Sequence, residues 1–235
     1  MSFKIAYGAG HYLGTAGRRI PAALDPKQTR EWQLNSRVAG YVAEAAQLYD
    51  GVELLRVDDP NGITKISVED RCKAANNWGA DFCLSLHHDA NQGKPWNGGG
   101  VTAFSCPGSV KGRQYRDAIY DAVVVAGGLR GNRAAPKQEK GYIALKQTKA
   151  PAVLVEYGFM DSKVDAPIIL TEEYAKAVGY ATMEAIANVA GLKKKPVETL
   201  YCVQVGAFKN KDYANKMLEN LKSAGFTGYI TKREN

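Results

Sequence analysis

The sequence predicts an α/β fold, a mixed, largely parallel sheet flanked by helices, followed by a small C-terminal strand-helix-strand module. Three observations predict it. Short apolar runs alternate with segments whose apolar residues recur at helical spacing, the pattern of a sheet covered by helices. The first run passes straight into a Gly-rich turn, "GAGHYLGTAG". A charged, Pro-containing stretch at 192–199 then separates the last long helix from a short tail, dividing the chain into a domain at 1–191 and a module at 200–235.

"FKIAY" (3–7) is the first strand. "DPKQ" (25–28) places Asp at an N-cap, Pro at the first helical position and Gln at the third, so a helix is expected to start there. Leu34, Val38, Ala45 and their neighbours continue it as one apolar face. "GVELLRV" is a second strand, a helix begins at a Ser67 cap, and "DFCLSLH" is a third, buried strand. Strand "VTAFSC" and a helix from about Ser109 to Val125 follow. Residues 128–142 read as a long polar loop, and loops of that length in a compact domain are usually functional or mobile. "APAVLVEYG" (150–158) is another buried strand, and 171–191 is a closing amphipathic helix capped by Thr171. In the tail, "YCVQVGAF", "NKDYANKMLENLKSAG" and "FTGYITK" read as strand, helix and strand. One such unit cannot bury its own sheet face, so it is either half of a domain or pairs with a copy of itself as a homodimer.

Composition narrows the class. A chain of 235 residues, 45% hydrophobic and 23% charged, can bury a substantial core. No apolar run is long enough for a membrane span, and the first residues lack the basic-then-apolar pattern of a signal peptide. The chain is therefore expected to be made in the cytoplasm. Cys72, Cys83, Cys106 and Cys202 lie at wide, irregular spacings, which fits reduced, packed thiols rather than a zinc ribbon or a disulfide framework. From Lys193 onward nine Lys or Arg face four Asp or Glu, so most of the net charge of +7 sits in the tail. That basic tail suits a polyanion such as an anionic cell surface, or is simply solvated, and no nucleic-acid partner is assigned.

Four residues carry the chemistry. His11 follows the first strand in "GAGH", and His87 closes the strand "FCLSLH"; each could equally be a structural turn or capping histidine. Glu31 sits on the apolar face of its helix, three residues before Leu34, although an acid near a helix N-terminus is favourable in its own right. Glu156 ends the apolar run "AVLVE", where an ionised carboxylate is costly without compensation. A metal would compensate both acids, and two histidines with one glutamate form a catalytic Zn2+ ligand set that leaves a position for water. Hydrolysis there also needs an acid/base, and Glu156 is the remaining acid. Competing chemistries are weaker: the cysteine of "SCPG" would have no free histidine to activate it, and "NGGG" precedes a strand, not a helix.

"GAGH", the Glu of "TREWQLN", "LSLHHDA" and "PAVLVEYGFMDS", in this order, resemble the zinc-dependent N-acetylmuramoyl-L-alanine amidases of the Amidase_3 type over about residues 1–190. The resemblance implies His11, Glu31 and His87 as Zn2+ ligands, Glu156 as catalytic acid/base, and peptidoglycan as substrate, cut between the muramoyl lactyl group and L-alanine. Where the family usually reads His-Ala-Asn, this chain has His87, His88 and Asp89, with His88 expected at the rim of the site. The tail resembles the first half of a SPOR domain, a module that binds glycan strands, with Gln204 and Phe208 matching the V-Q-V-G-A-F pattern. The reading is a peptidoglycan amidase reaching the wall through a holin-type pore or by lysis of the producing cell. A zinc carboxypeptidase acting on wall peptides and a non-catalytic wall-binding protein are the alternatives.

Overall fold

The structure, a computed structural model, describes residues 2–131, 135–196 and 203–232. It divides into two units, Met1–Lys195 and Pro196–Asn235. In the first unit the chain runs β1 (Phe3–Ala9), α1 (Glu31–Ala46), β2 (Val52–Arg56), α2 (Val68–Trp78), β3 (Phe82–Asp89), β4 (Thr102–Ser105) and α3 (Val110–Gly127). It continues through β5 (Lys137–Glu139), α4 (Ile143–Lys146), β6 (Ala152–Phe159), α5 (Ala166–Ile169) and α6 (Glu172–Ala190). The six strands form one sheet in the order β2-β1-β3-β6-β4-β5. All neighbours are parallel except β4 and β6, so the sheet is mixed and largely parallel, as expected.

Alternation along each strand gives the sheet two unlike faces. Ile5, Leu84, Leu86, Val153, Val155 and Tyr157 point to one face and form a continuous core with Val38 and Val42 of α1, Ile119 of α3 and Ile186 of α6. Two hydroxyls buried there are paired: that of Tyr157 lies 3.0 Å from Thr182 Oγ1, and that of Tyr174 donates to the Tyr157 carbonyl. The opposite face carries smaller residues, Ala6, Cys83 and Ala152 among them, beneath Ala75 of α2 and Leu145 of α4.

Three expectations shift. The first helix starts at Glu31, not at Asp25. The Asp25 carboxylate accepts the N–H groups of Lys27 (3.0 Å) and Thr29 (2.7 Å), and Gln28 adopts a φ of 50°, so Asp-Pro closes a turn where a helix was expected. The loop 128–142 holds β5, which pairs in parallel with β4; a three-residue edge strand of sequence "KQE" has no apolar alternation to announce it. Part of the expected linker belongs to the first unit, because Lys193 O accepts from Asp50 N (3.0 Å) and Lys195 N donates to Leu48 O (2.7 Å).

In the second unit the expected helix is present as α7 (Lys211–Ser223), capped by Asn210, whose side chain accepts from Asp212 N at 2.7 Å. The flanking segments 203–208 and 226–232 form no strand; Tyr201 and Cys202 lie outside the described residues. A ladder needs a partner, and α7 buries none of its residues, which fits a unit too small to hold strands of its own.

Asp161 holds the first part of the loop between β3 and β4. The fully buried Asp161 carboxylate accepts the N–H groups of Asn91, Gln92 and Gly93 and the Trp96 indole N–H, at 2.8–3.0 Å. Asp161→Ala removes that acceptor from four donors and should destabilise the fold by about 2–3 kcal/mol. A lower urea midpoint at unchanged m-value is the expected result.

Candidate metal centre

The carboxyl ends of β1 and β3 meet the N-terminus of α1, and three side chains converge there. Glu31, the first residue of α1, is 1% exposed. Its Oε1 lies 3.1 Å from His87 Nδ1, and its Oε2 lies 3.2 Å from His11 Nε2. The two imidazoles meet edge to face with centroids 5.3 Å apart. One potential ligand atom from each of the three residues lies within 4.8 Å of the others. Sequence reasoning therefore named three residues that the fold brings together from positions 20 and 56 residues apart.

Local structure explains each position. His11 has a φ of 66°, rare for a residue with a side chain and costing of order 1–3 kcal/mol. Arg71 of α2 compensates by clamping the turn, donating to Ala9 O (2.6 Å) and His11 O (2.8 Å). Gly10 is required by close approach: a Cβ there would sit 2.1 Å from His87 Cε1. Asp58, buried beneath the turn, accepts from Ala9 N at 3.0 Å and from the Trp32 indole at 3.1 Å, tying the end of β1 to the start of α1.

Electrostatics prepare His11 and Glu31 for a cation. Burial pulls His11 down to about 4, with His87, Arg18 and Arg71 adding to it against the opposing Glu31 carboxylate, so its ring is neutral at pH 7 and able to ligate. For Glu31 burial alone would raise the carboxyl, but the hydrogen bond and charge of His87, with His11 and Arg18, turn the balance and hold it ionised. Glu31 Oε2 is buried and accepts no hydrogen bond; a strongly charged oxygen so placed is what a metal ion would satisfy. Two imidazoles and a carboxylate with that free oxygen fit a zinc-type donor set.

Glu156 lies on β6 directly beside His87 in the parallel register and beside Thr102 of β4. Register neighbours share a face, so Glu156 is on the side of the sheet that His87 uses. Pairing of β3 with β6 slips between His87 and Asp89, and Gly158, at a φ of 135°, carries the extra residue on β6. Bulges of this kind re-aim side chains beside functional sites. A cavity of about 720 Å³ opens next to the triad on the same face, with His11, Tyr12, Arg71, Cys83, His87 and Leu154 in its lining. Its sheet floor includes Ala6, Gly8 and Ser85, and these small side chains leave the space open.

A family model described as N-acetylmuramoyl-L-alanine amidase, Amidase_3, matches residues 6–188. The chain belongs to this amidase family. A SPOR-domain model matches residues 198–235. The sporulation-specific N-acetylmuramoyl-L-alanine amidase of Bacillus subtilis is 32% identical over 191 residues, covering 79% of this chain and 69% of its own length. The amidase CwlM of Bacillus licheniformis is 28% identical over 170 residues, 72% of this chain and 64% of that protein. The solved N-acetylmuramoyl-L-alanine amidase of Clostridium difficile 630 superposes with a TM-score of 0.72 at 19% identity, over 81% of this chain and 97% of that one, a likeness of fold.

Within the amidase, His88 departs from its expected place. Alternation turns it to the helix-covered face, where it is 1% exposed beneath α1 and near Tyr157, not at the rim. Burial pushes its ring down to about 3. Asn35, Asp58, Arg71 and Asp161 escaped the sequence reading. Asn35 alone left a trace, as an amide one turn after Glu31 between the apolar Leu34 and Val38. In the second unit, Gln204 Nε2 donates to Gly206 O at 3.4 Å, and a Cβ on Gly206 would lie 2.5 Å from the Phe208 ring, so the two residues flank one exposed stretch of backbone.

Gly10→Ala tests the triad geometry, since the new methyl must displace the His87 ring. Zinc affinity, read by competition with a chromophoric chelator, should fall at least about tenfold while the far-UV spectrum is retained.

Proposed function

We propose that this amidase hydrolyses the amide between N-acetylmuramic acid and L-alanine in peptidoglycan, with Zn2+ held by His11, Glu31 and His87 and with Glu156 as acid/base. The observation that carries the metal assignment is the buried Glu31 carboxylate set between two imidazoles, with Oε2 accepting no hydrogen bond. Zinc held by this donor set would lower the pKa of water to about 7 and would polarise a carbonyl oxygen.

The chain's residues do the remaining work. Glu156, next to His87 on the adjoining strand, accepts a proton from the attacking water as its oxygen bonds to the lactyl carbonyl carbon. When the carbon–nitrogen bond breaks, Glu156 returns that proton to the alanine nitrogen, so the products are a free lactyl carboxylate and a peptide with a new N-terminal alanine. Proton transfer of this kind is typically worth about 100- to 10,000-fold in rate. Ser85 Oγ, 3.2 Å from His87 Nε2, orients the ring so that Nδ1, which faces Glu31, is the nitrogen that would take the metal. All four reacting or ligating residues come from one unit of one chain, so the reaction requires no second copy.

The SPOR match and the basic tail support a division of labour in which residues 1–191 cut and 200–235, with Gln204 and Phe208, hold glycan of the wall. No helix among the described residues is long and apolar enough to cross a membrane, and the proposed place of action is the cell wall.

Glu156→Gln should bind one zinc like the parent yet lose hydrolysis by about 100- to 10,000-fold. Mass spectrometry of digested wall gives the bond: new N-terminal alanine is expected, whereas release of a C-terminal residue would mark a carboxypeptidase. A chain ending at Lys195 should cleave soluble muropeptide at the parental rate and sediment less with intact sacculi; equal sedimentation would remove the targeting role.

A further inference from the structure

His88 has no part in the reaction described above, yet it is fully buried directly after a ligand residue. Its surroundings are specific. Nδ1 lies 2.7 Å from Asn35 Oδ1, its backbone N–H points to Glu31 Oε1 at 3.4 Å, and Nε2 is buried without a hydrogen-bond partner. The Asn35 amide faces Gly10 O at 3.2 Å and Glu31 Oε1 at 3.4 Å through Nδ2. Those two neighbours only accept, so the NH2 must face them and the carbonyl oxygen must face His88. A flipped amide would set oxygen against two acceptors. Asn35 Oδ1 can only accept as well, so His88 carries its proton on Nδ1, which fixes its tautomer.

We propose that His88 and Asn35 are positioning residues for the metal ligands: His88 Nδ1–H pins the Asn35 amide, and Asn35 then ties Glu31 Oε1 to the Gly10 carbonyl that precedes His11. The inference rests on the metal reading above. One amide thereby connects the two segments that supply Glu31 and His11, and by engaging Oε1 it leaves Oε2 turned toward His11. An apolar residue at position 88 could fill the space under α1 but could not set the amide's direction. The buried, unpartnered Nε2 is a cost that packing alone would not retain, since a leucine of similar size avoids it.

The test separates the hydrogen bond from the packing. Asn is the isostere of the Nδ1 half of histidine, so His88→Asn keeps a donor at the same reach, and His88→Leu keeps volume without a donor. Zinc affinity of the full chain is measured by competition with a chromophoric chelator, with the metal-free melting temperature as a check on folding. His88→Leu and Asn35→Ala should each bind zinc about 10- to 100-fold more weakly, and His88→Asn should stay within about threefold of the parent. The double variant His88→Leu/Asn35→Ala should be no weaker than Asn35→Ala alone, because the effect of His88 passes through Asn35. Parental affinity in folded His88→Leu, equal losses in His88→Asn and His88→Leu, or fully additive losses would each overturn the proposal. If His88→Leu does not fold, Asn35→Ala and His88→Asn decide it: parental affinity in the first or a large loss in the second is sufficient. A parent chain that binds no zinc would instead refute the metal reading itself.

Discussion

The Glu31 carboxylate is the constraint to which the rest of the catalytic unit answers. Burying an ionised carboxylate at 1% exposure costs several kcal/mol unless charge and donors surround it. Here the compensation comes from three directions. His11 and His87 approach its two oxygens, Arg18 lies 3.8 Å from Oε2 at the surface, and the Asn35 amide and the His88 N–H reach Oε1 from below. None of these partners is local in sequence except Asn35. The turn after β1, the end of β3 and the first turn of α1 must therefore be placed together before the charge is tolerable, and a bound cation would complete what the imidazoles begin.

That requirement explains features that look unrelated. The strained His11 backbone, the Arg71 clamp on its carbonyl and the missing Cβ at Gly10 all serve the approach of one imidazole to the other. Asp58 joins the end of β1 to Trp32 and so fixes α1 relative to the sheet. The bulge at Gly158 ends the regular β3–β6 pairing one step past Glu156, at the point where the strands stop being scaffold and become site. In a largely parallel sheet the strand ends on one side are the natural place for such convergence.

The two units follow different physics. The first buries a continuous core on one face of its sheet and leaves small residues and a cavity on the other, so stability and access are assigned to opposite sides. The second exposes Val203, Tyr213, Phe226 and Tyr229 around a helix with no buried residue. Among the described residues of this unit, the sequence pattern of strand, helix and strand is realised as the helix α7.

By itself the sequence determined what depends on local pattern and on chemical incongruity. Strand and helix periodicity located the major elements of the sheet and its layers, and the caps at Ser67 and Thr171 were legible because each is a side chain satisfying a backbone N–H three residues on. Glu31, His87 and Glu156 stood out as polar groups on apolar surfaces. Only the tertiary structure decided what depends on partners distant in the chain. The turn at Asp25 displaces the helix start because its carboxylate accepts the Thr29 N–H, and β5 exists only because β4 offers it an edge. The histidine pair shows the division most plainly. Alternation sends adjacent side chains to opposite faces, but which face carries the triad and which the core is set by α1 packing over one of them. Long-range packing thus made His87 a candidate ligand and buried His88 against Asn35.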